Sequence, residues 1–260
     1  MKKKIVCIIL VLVFGSVIAF SAYQIYIILH EYEEGQSAYE DLSEYVELPD
    51  ESAAPVTSDI PTVTQPESGE TGELVPWPQV DFEALSQINS NIVGWIYLEG
   101  SEINYPIAQS EDNSYYLKHL FDKSSNSSGC IFLDCRNTSD FTDQHSIIYG
   151  HHMKNGTMFS GLDSYKSQEY YDAHPQILLL APEQNYVIEI FAGYVANVQD
   201  DAWQVDFGSG DDFEDWVRRA IDRSCFTSSI TLAVTDRIIT LSTCSYEFSN
   251  ARFVLLGVLR

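Results

Sequence analysis

Short runs of apolar and β-branched residues, separated by polar turn-like clusters, follow one another from residue 92 to the C-terminus. We predict strands at nine of them, residues 92–98, 103–109, 130–134, 146–150, 177–181, 186–196, 230–234, 238–243 and 252–259. Several runs are apolar on both faces, as in a barrel wall that helices cover from outside. The pattern therefore predicts a mostly β domain, either a closed barrel or a sandwich.

Two segments change to the helical period. Asp81 precedes apolar residues at i, i+3 and i+6, so it is a candidate N-cap for an opening helix. Residues 211–223 carry apolar side chains at i, i+3, i+4, i+7 and i+8, with acids in the first turn and arginines in the last. We therefore predict one long helix between the late strands.

The N-terminus has the pattern of a membrane anchor. Lys2, Lys3 and Lys4 precede an uncharged run that continues to Leu29, and about 20 apolar residues suffice to cross a bilayer. We predict an anchor over residues 1–30, although a secretory signal peptide begins in a similar way. Because lysines stay on the cytoplasmic side, the rest of the chain is expected outside the cell.

Composition divides the remaining chain in two. Residues 31–76 hold 13 acidic residues, five prolines and no Lys or Arg, which predicts an extended acidic stalk. A short helix over residues 31–46 is the alternative for its first part. Residues 77–260 are expected to form one catalytic domain of ordinary size.

Charge and cysteine content exclude several functions. The chain has 38 acidic and 14 basic residues and a net charge of −24, which argues against a nucleic-acid partner. No close CxxC pair occurs, so neither a zinc ribbon nor a thioredoxin-like site is indicated. A disulfide among Cys130, Cys135 and Cys225 is an open question.

Cys244 and Arg252 are the first candidates for chemistry. Cys244 ends one predicted strand and Arg252 begins the next. If these strands pair antiparallel, the facing Cα atoms are roughly 4.5–5.5 Å apart. An arginine there can stabilise a thiolate, or the oxyanion formed when the thiolate attacks a carbonyl. A buried structural cysteine and a solvated arginine are the alternatives.

His151 follows the predicted strand 146–150 and is the candidate general acid and base. In an extended chain its neighbour His152 points to the opposite face. Both can instead be loop histidines that bond to nearby carbonyls. The pair lacks the i, i+4 spacing of a helical zinc site, so no metal is predicted.

These residues stand within longer motifs, Tyr149-Gly150-His151-His152-Met153-Lys154-Asn155-Gly156-Thr157-Met158-Phe159 and Leu241-Ser242-Thr243-Cys244, with Arg252 eight positions after the cysteine. Further motifs lie at residues 91–96, 105–107, 112–117 and 129–134. In this order, from about residue 82 to the C-terminus, the chain resembles a class B sortase. Ser245 stands where some members have an acid, so the role of that acid does not transfer.

The resemblance implies a sortase-like closed β-barrel of about eight strands, with N-terminal helices and one long helix between late strands. It implies a membrane-anchored cysteine transpeptidase that needs no cofactor. Cys244 would be the nucleophile, His151 the general acid and base, and Arg252 the oxyanion or substrate stabiliser. Substrate contacts would fall to Ser242, Thr243 and Trp203, with a core position the alternative for the tryptophan.

The implied partners are a surface protein's C-terminal sorting signal and a peptidoglycan precursor amine. In such an enzyme the thiolate attacks the carbonyl of a Thr, and the amine resolves the thioacyl enzyme. A cell-wall cysteine peptidase is one alternative, but its cysteine usually begins a helix. A stalked, non-enzymatic binding module is the other, and it does not explain why Cys244, His151 and Arg252 all fall at strand ends.

Overall fold

The computed structural model describes residues 2–49 and 77–260. Its helices are α1 Lys2–Leu42, α2 Phe82–Ile88, α3 Gln168–Ala173 and α4 Gly210–Arg223, with 3-10 helices at Ser43–Tyr45, Tyr115–Leu117, Phe159–Lys166 and Asp201–Trp203. Its strands are β1 Val46–Glu47, β2 Gln79–Val80, β3 Ile92–Tyr97, β4 Asn104–Ala108, β5 Ile131–Leu133, β6 His145–Tyr149, β7 Gln176–Leu180, β8 Asn185–Asn197, β9 Ile238–Cys244 and β10 Ala251–Leu259.

Eight of the described strands close into a barrel in the order β10-β8-β7-β3-β4-β5-β6-β9, and β9 pairs with β10. The pairs β4–β5 and β6–β9 are parallel, whereas the other neighbours run antiparallel. The predicted closed β-barrel is thus confirmed. Closure leaves no free edge in the wall, so every wall strand has its backbone paired on both sides.

The predicted long helix is present as α4. Ser209 caps it, because its Oγ accepts a hydrogen bond from the Asp212 backbone N–H at 3.2 Å. The predicted stripe packs against the barrel and is buried at Phe213, Trp216, Val217 and Ala220. Ile221, predicted in the same stripe, is 47% exposed because it lies at the edge of the buried face. The opening helix α2 also begins after Asp81, whose side chain accepts from the Ala84 N–H at 2.8 Å.

One strand prediction is wrong. Residues 230–234 form no strand, although their alternating apolar residues suit one. The parallel pairing of β6 with β9 already closes the barrel, so no wall edge is left for this segment. Ile230 and Leu232 instead pack as partly buried side chains against the apolar cluster beneath α4.

The acidic segment predicted over residues 31–76 differs from an extended stalk in its first part. α1 continues without interruption to Leu42, as the shorter helical alternative anticipated. Tyr39, Leu42 and Val46 are buried against the domain core because they share one side of the chain. β1 then pairs with β2, Val46 opposite Val80. The remainder of the predicted stalk, residues 50–76, lies outside the described residues.

The predicted membrane anchor lies within α1. Among the described residues, one helix is long and apolar enough to cross a bilayer, judged by length and composition. A signal sequence near the N-terminus satisfies the same criterion. The helix is therefore compatible with either an anchor or a signal sequence.

Candidate functional site

Three barrel strands bring the candidate residues to one end of the wall. β6 runs parallel to β9, with Tyr149 opposite Ser242, and β9 runs antiparallel to β10. The register pairs Cys244 directly with Arg252, which is the pairing that the sequence spacing suggested. Paired residues project to the same side of a sheet. The side chains of Cys244 and Arg252 therefore project next to each other from the same face of the barrel wall.

His151 follows β6, the strand next to the one that ends at Cys244. The parallel ladder continues past β6, because the Gly150 N–H donates to the Ser242 carbonyl at 3.1 Å. His151 is two residues beyond Tyr149, as Cys244 is two residues beyond Ser242, so both chains reach the same level. Nε2 of His151 lies 2.8 Å from the Leu117 carbonyl. A carbonyl oxygen only accepts, so Nε2 carries a proton and Nδ1 is the nitrogen left to take up another.

His152 has different surroundings. Its Nε2 lies 3.1 Å from Oδ2 of Asp163, and its ring packs edge-on against Tyr246 with centroids 5.2 Å apart. Its buried Nδ1 has no hydrogen-bond partner among the described residues. His152 is therefore held by the side chains of the 3-10 helix Phe159–Lys166 and of the loop after Cys244, whereas His151 is held by backbone.

Cys244 is one of four free cysteines whose side chains the structure describes, and it differs from the other three. Its side chain is half-buried at the end of a strand. Cys130 is fully buried, and burial raises the pKa of its thiol to about 12. Burial also raises the pKa of Cys225. Neither thiol is suited to form a thiolate at neutral pH, and Cys135 is exposed on a loop.

The guanidinium of Arg252 is largely uncommitted. Its one hydrogen bond to the described residues runs from Nη1 to the Ala251 carbonyl at 2.9 Å. No described carboxylate lies within ion-pair distance of it. Ion pairs are otherwise common among the arginines of this acidic chain, as at Arg136, Arg218, Arg219, Arg223 and Arg260. Arg252 therefore keeps donors and a full charge for a group that arrives beside Cys244.

The residues expected to contact substrate divide between the two faces of β9. Ser242 shares a face with Cys244, and its Oγ accepts a hydrogen bond from the indole N–H of Trp203 at 3.3 Å. The structure thus brings Trp203 and Ser242 together, with the indole half-buried. The Thr243 side chain projects to the other face by strand alternation. It is 2% exposed, and its hydroxyl has no partner among the described residues.

Sequence reasoning missed a charged network beside this face. The buried carboxylate of Asp134 accepts from Nε and Nη2 of Arg136 at 2.9 and 2.7 Å and from the Tyr149 hydroxyl at 2.8 Å. Arg136 also donates from Nη2 to the Trp203 carbonyl at 3.2 Å. An acid at the end of a predicted apolar strand was the available signal. The network braces the segment that carries Trp203.

A second network ties down the loop that follows Cys244. Lys166 forms ion pairs with Glu247 at 2.6 Å and Asp163 at 2.9 Å, and Glu247 also accepts from Ser245. The hydrogen bonds from Lys166 and Ser245 lower the pKa of Glu247 to about 2. Glu247 therefore stays charged at physiological pH and keeps the loop fixed to the 3-10 helix Phe159–Lys166.

His145 is a buried histidine with a structural environment. Its ring lies 4.6 Å from that of Trp216, Nδ1 lies 2.6 Å from the Gln204 carbonyl, and Nε2 lies 2.7 Å from Oγ1 of Thr240. Burial lowers its pKa to about 4, so the ring is neutral at pH 7. No group of three or more His, Cys, Asp or Glu side chains that could hold a metal occurs within residues 2–49 and 77–260.

Comparison with known proteins identifies the family. No profile of a known protein family matches the chain. The chain is 40% identical over 177 residues to sortase B of Listeria monocytogenes serovar 1/2a, an alignment that covers 67% of this chain and 72% of that protein. The structure resembles a Staphylococcus aureus sortase B–substrate complex with a TM-score of 0.66 and 34% identity, covering 69% of this chain and 84% of that one.

A further similar structure is that of a sortase B complexed with triglycine. Its TM-score is 0.66 and its identity 34%, and the match covers 69% of this chain and 85% of that one. Sequence identity of 34–40%, together with the shared barrel, shows a family relationship and not only a similar fold. This chain therefore belongs to the sortase B family of cysteine transpeptidases.

Proposed function

We propose that this protein cleaves the C-terminal sorting signal of a surface protein after a Thr and joins that protein to an amine of the cell wall. The observation that carries the proposal is the pairing of Cys244 with Arg252, on the strand beside the one that leads to His151. Two relatives add support, since one is described as a substrate complex and the other as a complex with triglycine.

In the first step the thiolate of Cys244 attacks the carbonyl carbon of the scissile Thr. The tetrahedral intermediate collapses, the C–N bond breaks, and protonated His151 gives its proton to the departing amine. A thioester on Cys244 remains. In the second step the acceptor amine attacks this thioester, and His151 takes a proton from the amine. The C–S bond then breaks, which regenerates the thiolate and leaves a new amide bond.

Arg252 stabilises the negative oxygen that develops on the carbonyl in both steps. A guanidinium stays protonated throughout the accessible pH range, so it contributes charge without proton transfer. Its lack of a carboxylate partner among the described residues matters here, because a paired guanidinium would already be neutralised. On the same face, Ser242 and Trp203 would line the groove for the peptide.

The proposed location rests on the N-terminal helix. We propose that α1 anchors the chain with Lys2, Lys3 and Lys4 in the cytoplasm and the barrel outside the cell. Residues 31–47, which pack on the barrel, then form part of the catalytic unit, and residues 50–76 lead from β1 back to β2. This arrangement places the site on the side of the membrane where the cell wall is built.

The test uses the full-length chain in detergent, a fluorogenic peptide with a sorting signal whose scissile residue is Thr, and triglycine as the amine. We expect mass spectrometry to find the acyl fragment on Cys244 and, with triglycine, the transfer product. Cys244→Ala should abolish both, whereas Cys135→Ala, which removes an exposed thiol, should not. Arg252→Lys keeps the charge but loses the planar fork, so kcat should fall about a hundredfold.

Several outcomes would replace the proposal. Turnover by Cys244→Ala, or an adduct on another cysteine, would remove the proposed nucleophile. Cleavage with water as the sole acceptor, even at high triglycine, would indicate a cysteine peptidase. Binding of the peptide without cleavage would indicate a surface-binding module.

A further inference from the structure

One face of α1 docks against the loop that precedes β5. Glu31, Gly35 and Tyr39 are spaced at i, i+4 and i+8, so they form one row on the helix. The Glu31 carbonyl accepts from Nδ2 of Asn126 at 2.9 Å, and its Oε1 accepts from the Ser127 N–H at 2.8 Å. These bonds join residues more than ninety positions apart in the sequence. They attach the part of α1 that follows the predicted anchor to the loop that precedes β5.

The middle of this row requires close approach. Gly35 is buried, and a Cβ built on it would lie 2.8 Å from Oγ of Ser128. A side chain at this position would push the helix away from the loop. The glycine therefore lets the helix backbone come near enough for the next residue in the row, Tyr39, to reach past Ser128.

Tyr39, the last residue of the row, contacts Gly129. Its hydroxyl donates to the Gly129 carbonyl at 2.6 Å, and the ring is buried against Tyr105 in an edge-on contact at 5.3 Å. Within the described residues this is the hydrogen bond that the Gly129 carbonyl accepts. A buried carbonyl left without a donor is unfavourable, so the phenol fixes the position of this peptide group.

Gly129 in turn packs against the imidazole of His151. Its φ of +59° lies in the left-handed region that favours glycine. A Cβ on Gly129 would lie 3.0 Å from Cδ2 of His151 and 2.5 Å from the Tyr116 carbonyl. The backbone of Gly129 therefore forms one wall of the space that the imidazole occupies.

The other contact of His151 belongs to the same backbone unit. The Leu117 carbonyl, which holds Nε2 of His151 at 2.8 Å, lies on a segment paired with the loop before β5. The Cys130 N–H donates to the Tyr116 carbonyl at 2.9 Å, and the Asn126 N–H donates to the Lys118 carbonyl at 3.0 Å. A displacement of Gly129 therefore moves both supports of the imidazole together.

We propose that Tyr39 is a positioning residue for His151, acting through the Gly129 carbonyl. The inference rests on the proposed function in one respect, since its consequence for turnover requires His151 to be the acid and base. Tyr39 touches neither His151 nor the reacting atoms. It holds the wall against which the imidazole is set, and it lies on the helix that comes from the predicted membrane anchor.

Tyr39→Phe tests the proposal because it keeps the ring and removes only the hydroxyl. Tyr32→Phe is the matched control, since Tyr32 lies two turns earlier on α1 and packs partly buried against the core, with no hydrogen bond from its hydroxyl to the described residues. The variants are made in the full-length chain in detergent. The structural readout is the nuclear Overhauser contact between His151 Hδ2 and Gly129 Hα, measured in a Cys244→Ala background with labelled His and Gly.

We expect this contact to weaken at least about twofold in Tyr39→Phe and to be unchanged in Tyr32→Phe. In chains that retain Cys244, kcat should fall about three- to tenfold in Tyr39→Phe, the effect of one net hydrogen bond. KM for the peptide should change less than about twofold, because the peptide groove is untouched. A residue with a merely packing role would alter stability without moving the His151 signal.

The readouts separate this inference from the proposed function. An unchanged His151–Gly129 contact in Tyr39→Phe overturns the positioning role, whatever happens to activity. A weakened contact with a fall in kcat supports both. A weakened contact, together with full activity in a His151→Ala variant, supports the positioning of His151 by Tyr39 and removes His151 from the proposed reaction.

Discussion

Asp134 lies beside the candidate site, and its replacement by Asn should lower the free energy of unfolding by about 2 kcal/mol at neutral pH. The buried carboxylate accepts four hydrogen bonds. Oδ1 accepts from the Arg136 backbone N–H and Nε, both at 2.9 Å, and Oδ2 accepts from Arg136 Nη2 at 2.7 Å and the Tyr149 hydroxyl at 2.8 Å. An Asn side chain offers one acceptor oxygen where the carboxylate offers two. Its NH₂ group would therefore point at N–H or O–H donors whose hydrogen bonds the carboxylate now accepts.

The magnitude follows from the pKa of Asp134. Burial favours the neutral acid, but the hydrogen bonds from Arg136 and Tyr149 outweigh it and lower the pKa from 3.8 to about 2. A difference of nearly two pH units at about 1.4 kcal/mol each corresponds to about 2.5 kcal/mol, and solvent screening at the half-exposed Arg136 reduces this to about 2 kcal/mol. The larger cost of about 3–5 kcal/mol for stranding a buried charge does not apply, because the half-exposed Arg136 can be solvated in the variant.

Urea unfolding of the full-length chain in detergent, followed by tryptophan fluorescence, measures this difference. Because the folded pKa of Asp134 lies below the unfolded value, its stabilisation is complete well above pH 4 and is lost as pH falls through about 2. The gap between parent and Asp134→Asn should therefore narrow below pH 4. Glu183→Gln is the control, since it removes an exposed carboxylate on the turn between β7 and β8. Equal stability at pH 7, or a gap as wide at pH 2 as at pH 7, would refute the reasoning.

Two further predictions concern the N-terminal segment. The free energy of unfolding of a chain that begins at residue 31 should exceed that of a chain that begins at residue 77 by at least about 3 kcal/mol. The reason is that only the longer chain buries Tyr39, Leu42 and Val46. Coincident urea transitions of the two chains would contradict this packing. In intact cells, a membrane-impermeant maleimide should label the exposed thiol of Cys135 without lysis, and labelling only after lysis would reverse the proposed orientation.

Local patterns in the sequence were sufficient for most barrel strands and for the helix beside them. The alternation and the turn clusters around β3, β4, β8, β9 and β10 specify strands without knowledge of their partners. The stripe of α4 is likewise visible in one window of residues. The pairing of Cys244 with Arg252 was also predictable, because a short connection between two strands favours an antiparallel hairpin.

Contacts between distant segments were not predictable in the same way. Residues 230–234 have the pattern of a strand, but the absence of a free barrel edge is set by the pairing of β6 with β9. The acidic composition of residues 31–47 indicated an extended chain, yet the buried row of Tyr39, Leu42 and Val46 overrides it. No local signal links Tyr39 to Gly129, ninety positions later.

The candidate site shows the same division between strand ends and supports. The strand-end positions of Cys244, His151 and Arg252 made these residues candidates, because such positions are visible in the sequence. The Asp134–Arg136 pair was missed because a bidentate contact between near neighbours looks like ordinary surface charge until the burial of the acid is known. The resemblance implies substrate contacts for both Ser242 and Thr243, but strand alternation sends the two side chains to opposite faces.

The uninterrupted course of α1 into its docking face has a mechanical consequence. Ten residues separate Leu29, where the apolar run ends, from Tyr39, which corresponds to about 15 Å of helix. With α1 as the proposed anchor, the barrel is carried at a fixed height above the lipid surface instead of swinging on a tether. A sorting signal and an acceptor amine that are both held near the bilayer would then meet the enzyme within a thin layer. This confinement would raise their effective concentration at the site.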